Sequence, residues 1–277
     1  MFIDFMKISK KMIVLSLTLL FLSGIIIFNY KIDFGLEFIG GVEVELHYTE
    51  KVKIADVKKQ LSVLGDIQVK YYGSNKNIQL KIKNNKRKDE LIVEVEKVIG
   101  NDAKMLRLDY MGPEMTGSII KNSCYSILAG IFCMVIYLIF RFNYILAFNA
   151  LVALVHDIII LLGIISLLGI EFNLAVFSAL FAVFGYSIND TIVIFDRLRE
   201  NIKINKDQNM YNLINMSVNS TLLRTLNTSI STLMVTLIIL IFGGTYLFGF
   251  ALVLSLGVII GTYSSIYLST YLMLFKD

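Results

Sequence analysis

Residues 185–201 read GYSINDTIVIFDRLREN, and they set a carboxylate, Asp190, inside a stretch otherwise apolar enough to lie in lipid. An ionisable group at membrane depth is costly, so function is its default reading. Read backward from it, Phe172 to Phe195 is long enough to cross a hydrocarbon core at about 1.5 Å per helical residue, and it ends on Asp196, Arg197, Arg199 and Glu200. On that helix Ser178, Ala182, Gly185 and Asn189 recur at spacings of four, three and four, a small and polar stripe on which another helix can pack closely. Asp190 lies beside the stripe, about 9 Å of helix from the charged end. A plain structural role stands beside the functional one: Asp190 hydrogen-bonds a neighbouring helix and does nothing else.

The rest of the composition agrees with a membrane chain. Its 277 residues are 56% hydrophobic, against about 45–50% for soluble proteins, and the net charge is only +4. No basic patch interleaved with aromatics occurs, so nucleic acid is not an expected partner. Cys124 and Cys133 sit nine residues apart, roughly 13 Å on a helix and beyond disulfide reach. Sequence patterns for zinc, nucleotide and acyl-transfer chemistry are missing, which argues against an enzyme and gives no metal or cofactor set.

Taken in order, Lys7, Lys10 and Lys11 precede an apolar run from Met12 to Phe28, read as an uncleaved first transmembrane helix with a cytoplasmic N-terminus, so residues 1–29 form the tail and first span. Residues 30–117 lose apolar content and read as one soluble domain. Val42, Val44, Leu46 and Tyr48 alternate with Glu43, Glu45 and His47 as a half-buried strand; Ile54, Val57, Leu61 and Leu64 share a helical face. A hairpin across Gly73, a helix from Asp89 to Ile99 and a strand from Met105 to Met111 complete a βαββαβ order, the ferredoxin-like pattern. Glycine-bearing junctions bracket the domain: Gly40 and Gly41 before it, Gly112, Pro113 and Gly117 after it. They serve as hinges or as ordinary tight turns.

Residues 118–277 supply five more spans, at about Ile119 to Phe140, Ile145 to Leu168, Phe172 to Phe195, Thr225 to Phe242 and Tyr246 to Leu274, with a cytoplasmic loop at 197–224. Within that loop Met210, Leu213, Ile214, Ser217 and Val218 are spaced for a short amphipathic helix lying on the membrane surface. The expected fold is therefore an α-helical polytopic membrane protein of six transmembrane helices, with one extracytoplasmic α+β ferredoxin-like domain between helices 1 and 2. Arg141, the 197–224 loop and Lys276 fall on the same side as the N-terminal lysines, which puts both termini in the cytoplasm and the soluble domain outside.

Arg224 opens the fifth span and is positioned to meet Asp190 across neighbouring helices. An arginine that approaches a buried carboxylate favours its charged form while desolvation disfavours it, so a helix movement that changes their separation moves a proton. Asp157, beside His156 near the bilayer middle, is a second candidate, or a helix-packing hydrogen bond. The ion served is H+ or Na+.

Residues 185–201 resemble the fourth-helix signature of the SecF family of protein-export membrane subunits, within the RND superfamily. Leu223-Arg-Thr-Leu-Asn-Thr-Ser229, Phe242-Gly-Gly244, Gly257-Val-Ile-Ile-Gly-Thr-Tyr-Ser-Ser265 and Val155-His-Asp157 resemble it as well. The junction departs from the family pattern, with Glu37 at an aspartate's place and Val42 at a threonine's. The resemblance implies an auxiliary of the Sec channel in a bacterial or archaeal-type cell (inner) membrane, using the proton-motive force to draw or release preprotein on the outer side. It implies a SecD-like partner, docking on SecYEG, unfolded preprotein as cargo and contact with membrane lipid. Asp190 and Arg224 would carry proton coupling with Asp157 as a helper, and Asn189, Tyr186, Gly185 and Thr228 would support packing or relay. Two other classes share the membrane carboxylates: an RND-type exporter of lipids or small molecules, and an aspartyl protease pairing Asp157 with Asp190, whose Gly-x-Gly-Asp pattern is missing.

Overall fold

The computed structural model describes residues 3–61, 66–72, 74–83, 93, 97 and 103–276. They fall into two compact units, Met1–Asp33 with Gly130–Asp277, and Phe34–Ala129. In the second unit a short helix α2, Leu36–Ile39, leads into strand β1, Gly41–Tyr48; helix α3, Ile54–Leu61, then connects to β2, Asp66–Tyr72, β3, Ser74–Lys83, and β4, Ala103–Met111. The sheet order is β2-β3-β1-β4 and every pairing is antiparallel. The alternation read from the sequence decides which face is inside: Val42, Val44 and Leu46 are fully buried with Ile78, Leu80 and Leu61. His47 on the opposite face meets Asn77 at 2.6 Å. The helix expected at Asp89 to Ile99 lies, but for residues 93 and 97, outside the described residues, as do Gly73 and Leu64.

The two junctions differ in kind. Gly40 and Gly41 take φ of +76° and +119°, left-handed values that disfavour a side chain, and a Cβ on Gly40 would stand 3.1 Å from Thr116 Oγ1. After the sheet only Gly112 intervenes: Pro113 begins helix α4, Pro113–Arg141, at the first helical position, where its missing N–H costs nothing. Gly117, expected as a hinge, is inside α4 with open space where a Cβ would go.

Among the described residues six helices are long and apolar enough to cross a membrane: α1, Phe5–Tyr30; α4; α5, Tyr144–Leu168; α6, Leu174–Ile204; α7, Met210–Phe242; and α8, Gly244–Tyr271, continued by a 3-10 turn at Leu272–Lys276. This is a multi-pass membrane protein. The charged segment at 197–224, expected as a loop with a surface helix, is instead almost wholly helical. Helix α6 continues to Ile204, aided by the Arg197–Glu200 pair at 2.7 Å and by Arg141, which reaches Asp196 at 2.5 Å. After a turn at 205–209, Asn209 caps α7 by accepting from the Asn212 N–H, and no glycine or proline interrupts the helix before Gly243. The amphipathic residues Leu213, Ile214 and Val218 pack with Phe195 and Leu198 in the protein core rather than on a bilayer. At about 50 Å, α7 exceeds a hydrocarbon core of about 30 Å, so its first turns stand clear of the lipid.

Those first turns also hold the N-terminus. Asn219 accepts from the Ile3 N–H and donates to the Ile3 carbonyl, Asn215 accepts from the Met6 N–H, and Asp4 accepts from Tyr211 and Asn215. The Tyr211 hydroxyl is the main cause that holds the Asp4 carboxyl below its ordinary value of 3.8. A carboxylate with a depressed value in the folded state stabilises the clasp above 3.8 and loses that contribution as pH falls through the lower, folded value. Protection of the Ile3 and Met6 amides, taken against the intrinsic exchange rate at each pH, is expected to fall below that pH, and to fall at neutral pH in Asp4→Asn; unchanged protection in the variant would refute the clasp.

Candidate functional site

The site lies where α6, α8, α5 and α7 approach one another. A Cβ on Gly257 would stand 2.1 Å from Val183 Cγ2, and one on Gly261 would stand 3.0 Å from Ser187 Cβ. Two pairs at a spacing of four thus hold α6 and α8 in close contact, the arrangement small residues permit between membrane helices. The stripe singled out from the sequence is not this seam: Ser178, Ala182, Gly185 and Asn189 are all exposed, and Ala179, Val183 and Ser187 take the packed face.

Asp157 of α5 is fully buried and fully partnered. His156 Nδ1 lies 3.0 Å from Oδ1, and Oδ2 accepts from the Ser187 hydroxyl of α6 at 2.7 Å and the Ser264 hydroxyl of α8 at 2.8 Å. Three helices converge on one carboxylate. Removing either serine hydroxyl leaves a buried carboxyl group with one donor fewer, so Ser187→Ala and Ser264→Ala are each expected to destabilise the protein by about 1–3 kcal/mol in equilibrium unfolding. A cost within noise for both would show that Asp157 does not bind these helices together.

Asp190 of α6 is as deeply placed, 2% exposed, yet poorly partnered. Its one side-chain hydrogen bond among the described residues comes from Thr262 of α8 at 3.4 Å. Behind Thr262 runs a line of hydroxyls: Thr262 Oγ1 and Ser229 Oγ of α7 are 2.7 Å apart, and the Tyr186 hydroxyl donates to Ser229 at 2.8 Å. The Thr262 hydrogen serves either Ser229 or Asp190, so reorienting these hydroxyls changes what the carboxylate receives. Arg224 is exposed, acts on Asp190 through its charge, and forms no ion pair with it closer than 4 Å.

Of the residues named from the sequence, the fold joins Asp190, Arg224 and Tyr186 in one region and places Asp157 on the other side of the same α8 segment. Gly185 and Asn189 face away, and Thr228 donates to carbonyls of its own helix, at Arg224 and Thr225. Sequence reading passed over Ser187, Ser229, Thr262 and Ser264. For Thr262 and Ser264 the signal was the run of hydroxyls at 262–265, Thr262 facing one acid and Ser264 the other; Ser187 and Ser229 gave none. Among the described residues no group of three metal-ligating side chains forms.

Residues 92–276 match the family described as Protein export membrane protein SecD/SecF, C-terminal. A protein translocase subunit SecF of Pseudomonas aeruginosa is 37% identical, over 90% of this chain and 83% of its own. Another, of Desulfurispirillum indicum, is 34% identical over 99% of this chain and 91% of its own. The crystal structure of SecDF, a translocon-associated membrane protein of Thermus thermophilus, aligns with a TM-score of 0.88 at 30% identity, covering 99% of this chain. SecDF in a super-membrane-facing form aligns at 0.70 with the same identity. This chain spans 38% of the length of either solved SecDF chain.

Proposed function

The chain belongs to the SecD/SecF family of protein-export membrane proteins, and from that premise we propose that it is an accessory subunit of Sec protein export that couples ion entry to preprotein movement. The observation that carries the coupling is the contrast between two buried acids: Asp157 is saturated by three partners within 3.0 Å, while Asp190 has one donor at 3.4 Å and a hydroxyl line leading to it. The saturated acid anchors helices; the other is left to exchange a proton. Protonating Asp190 removes its attraction to Arg224 and alters the α6–α8–α7 contacts, which is the local event a conformational change needs. The ion is H+ in this reading, with Na+ as the other candidate.

The remaining parts follow the same reading. A SecD-like subunit supplies the portion of SecDF that this chain does not span, and the pair docks on SecYEG in the cell membrane, with both termini of this chain in the cytoplasm. The sheet unit, read as the ferredoxin-like domain on the strength of its β2-β3-β1-β4 order, faces outward and contacts unfolded preprotein. Gly40 and Gly41 are the hinge candidates that keep support, because of the five junction residues only these two take backbone angles that favour glycine. No chemical turnover of a small substrate is invoked. The test is preprotein release from energised vesicles with this chain and its partner, compared with vesicles lacking the chain. Stimulation that requires both the chain and the gradient is expected; equal release without the chain would refute the reading.

A further inference from the structure

Between α1, α5 and α8 lies a cavity of about 630 Å3, within the range of about 300–1,000 Å3 typical of ligand sites. Its walls include Ile13, Leu17 and Leu20 of α1, Phe148 and Leu151 of α5, and Leu268 of α8. Three polar side chains, Ser16, His156 and Tyr271, also line it. The Ser16 hydroxyl is taken by Tyr263 at 2.9 Å; His156, 2% exposed, gives Nδ1 to Asp157 and leaves Nε2 with no hydrogen-bond partner. The Nε2 atom is itself shielded by protein and the rest of the wall is aliphatic or aromatic, which falls short of the two to four polar partners that an ordered water needs, so hydrocarbon is the fitting occupant.

The cavity's length and the charge at its end say which hydrocarbon. From Phe148 to Ile159 it follows α5 for about 16 Å, roughly half a hydrocarbon core, the reach of one leaflet's acyl chain. On α1, Lys10, Ile13, Leu17 and Leu20 recur at spacings of three, four and three, so one helical face carries the lysine directly beyond the apolar wall. Lys10 is exposed and forms no ion pair among the described residues, and the nearby acid, Asp4, is turned onto Tyr211 and Asn215 of α7. Tyr144, 75% exposed and one turn before Phe148, stands at the same end, where amphipathic aromatic rings favour the headgroup level. We propose that this cleft seats one acyl chain of an anionic phospholipid whose phosphate is held by Lys10. The seated chain lies against the wall behind which His156 and Asp157 are buried.

The test is native mass spectrometry of the full chain released from nanodiscs of equal phosphatidylglycerol and phosphatidylcholine. The wild type is expected to retain phosphatidylglycerol over phosphatidylcholine by about fivefold, the worth of one lysine at a membrane surface. Lys10→Gln should bring that ratio to about one, while Lys203→Gln, an exposed lysine elsewhere, leaves it unchanged. Leu151→Trp, which fills the cleft, should lower retention of both lipids. Lys10 is exposed, so its variant tests the site without threatening the fold. No preference in the wild type, a preference kept in Lys10→Gln, or wild-type retention in Leu151→Trp would each overturn the proposal.

Discussion

Asp190→Asn is expected to remove the gradient-dependent part of preprotein release while leaving the protein folded and membrane-inserted. The amide matches the carboxylate in shape and still accepts from Thr262, but it neither binds nor releases a proton. Moving one charge through 100 mV makes about 2.3 kcal/mol available, a bias of about 50-fold on a two-state movement, and that bias is what the variant forfeits. The release that remains should match wild type without a gradient. If the variant still responds to the gradient as wild type does, Asp190 is a packing residue and coupling resides at Asp157 or in the partner subunit.

Gly257→Leu is expected to destabilise the membrane unit by forcing α6 and α8 apart. Even its Cβ would lie 2.1 Å from Val183 Cγ2 and 2.9 Å from Cγ1, so α6 and α8 must part before the rest of the side chain is placed. Overpacking of this kind costs about 1–3 kcal/mol, and it displaces Ser187 and Ser264 from Asp157 as well. Thermal unfolding in detergent should fall well below wild type. Gly185→Leu, at a glycine with open space around it, should not. Similar losses for both would mean that the seam lies elsewhere.

The six spans were legible because an apolar run of about twenty residues has few other readings in a chain this hydrophobic. The sheet strands were legible for the same kind of reason: Val42, Val44 and Leu46 alternate, and a period of two fixes which face is buried. The hairpin at 197–224 was missed because charge lowers hydropathy without breaking a helix. Arg197, Glu200 and Asp196 find partners along and between helices, and Leu213, Ile214 and Val218 find a core rather than a membrane surface. The small stripe at 178–189 was misassigned because one helix shows only what can pack. Which face does pack was decided by Gly257 and Gly261 on a helix seventy residues away.

The site divides in the same way. Asp190, Asp157 and Arg224 stand out because charge is rare in a membrane segment, so single residues carry the signal. The hydroxyls that distinguish the two acids do not, since serine and threonine are ordinary in membrane helices and often bond their own backbone, as Thr228 does here. Only three-dimensional placement separates Thr262 and Ser264, two residues apart, into partners of different carboxylates.

The most direct test of the central claim is proton flux itself. Liposomes holding this chain with a SecD-like partner, loaded with a pH dye and given a membrane potential, report ion entry without any preprotein. The account predicts potential-driven acidification in wild type and none above the protein-free rate in Asp190→Asn. Equal acidification by the two proteins would contradict it.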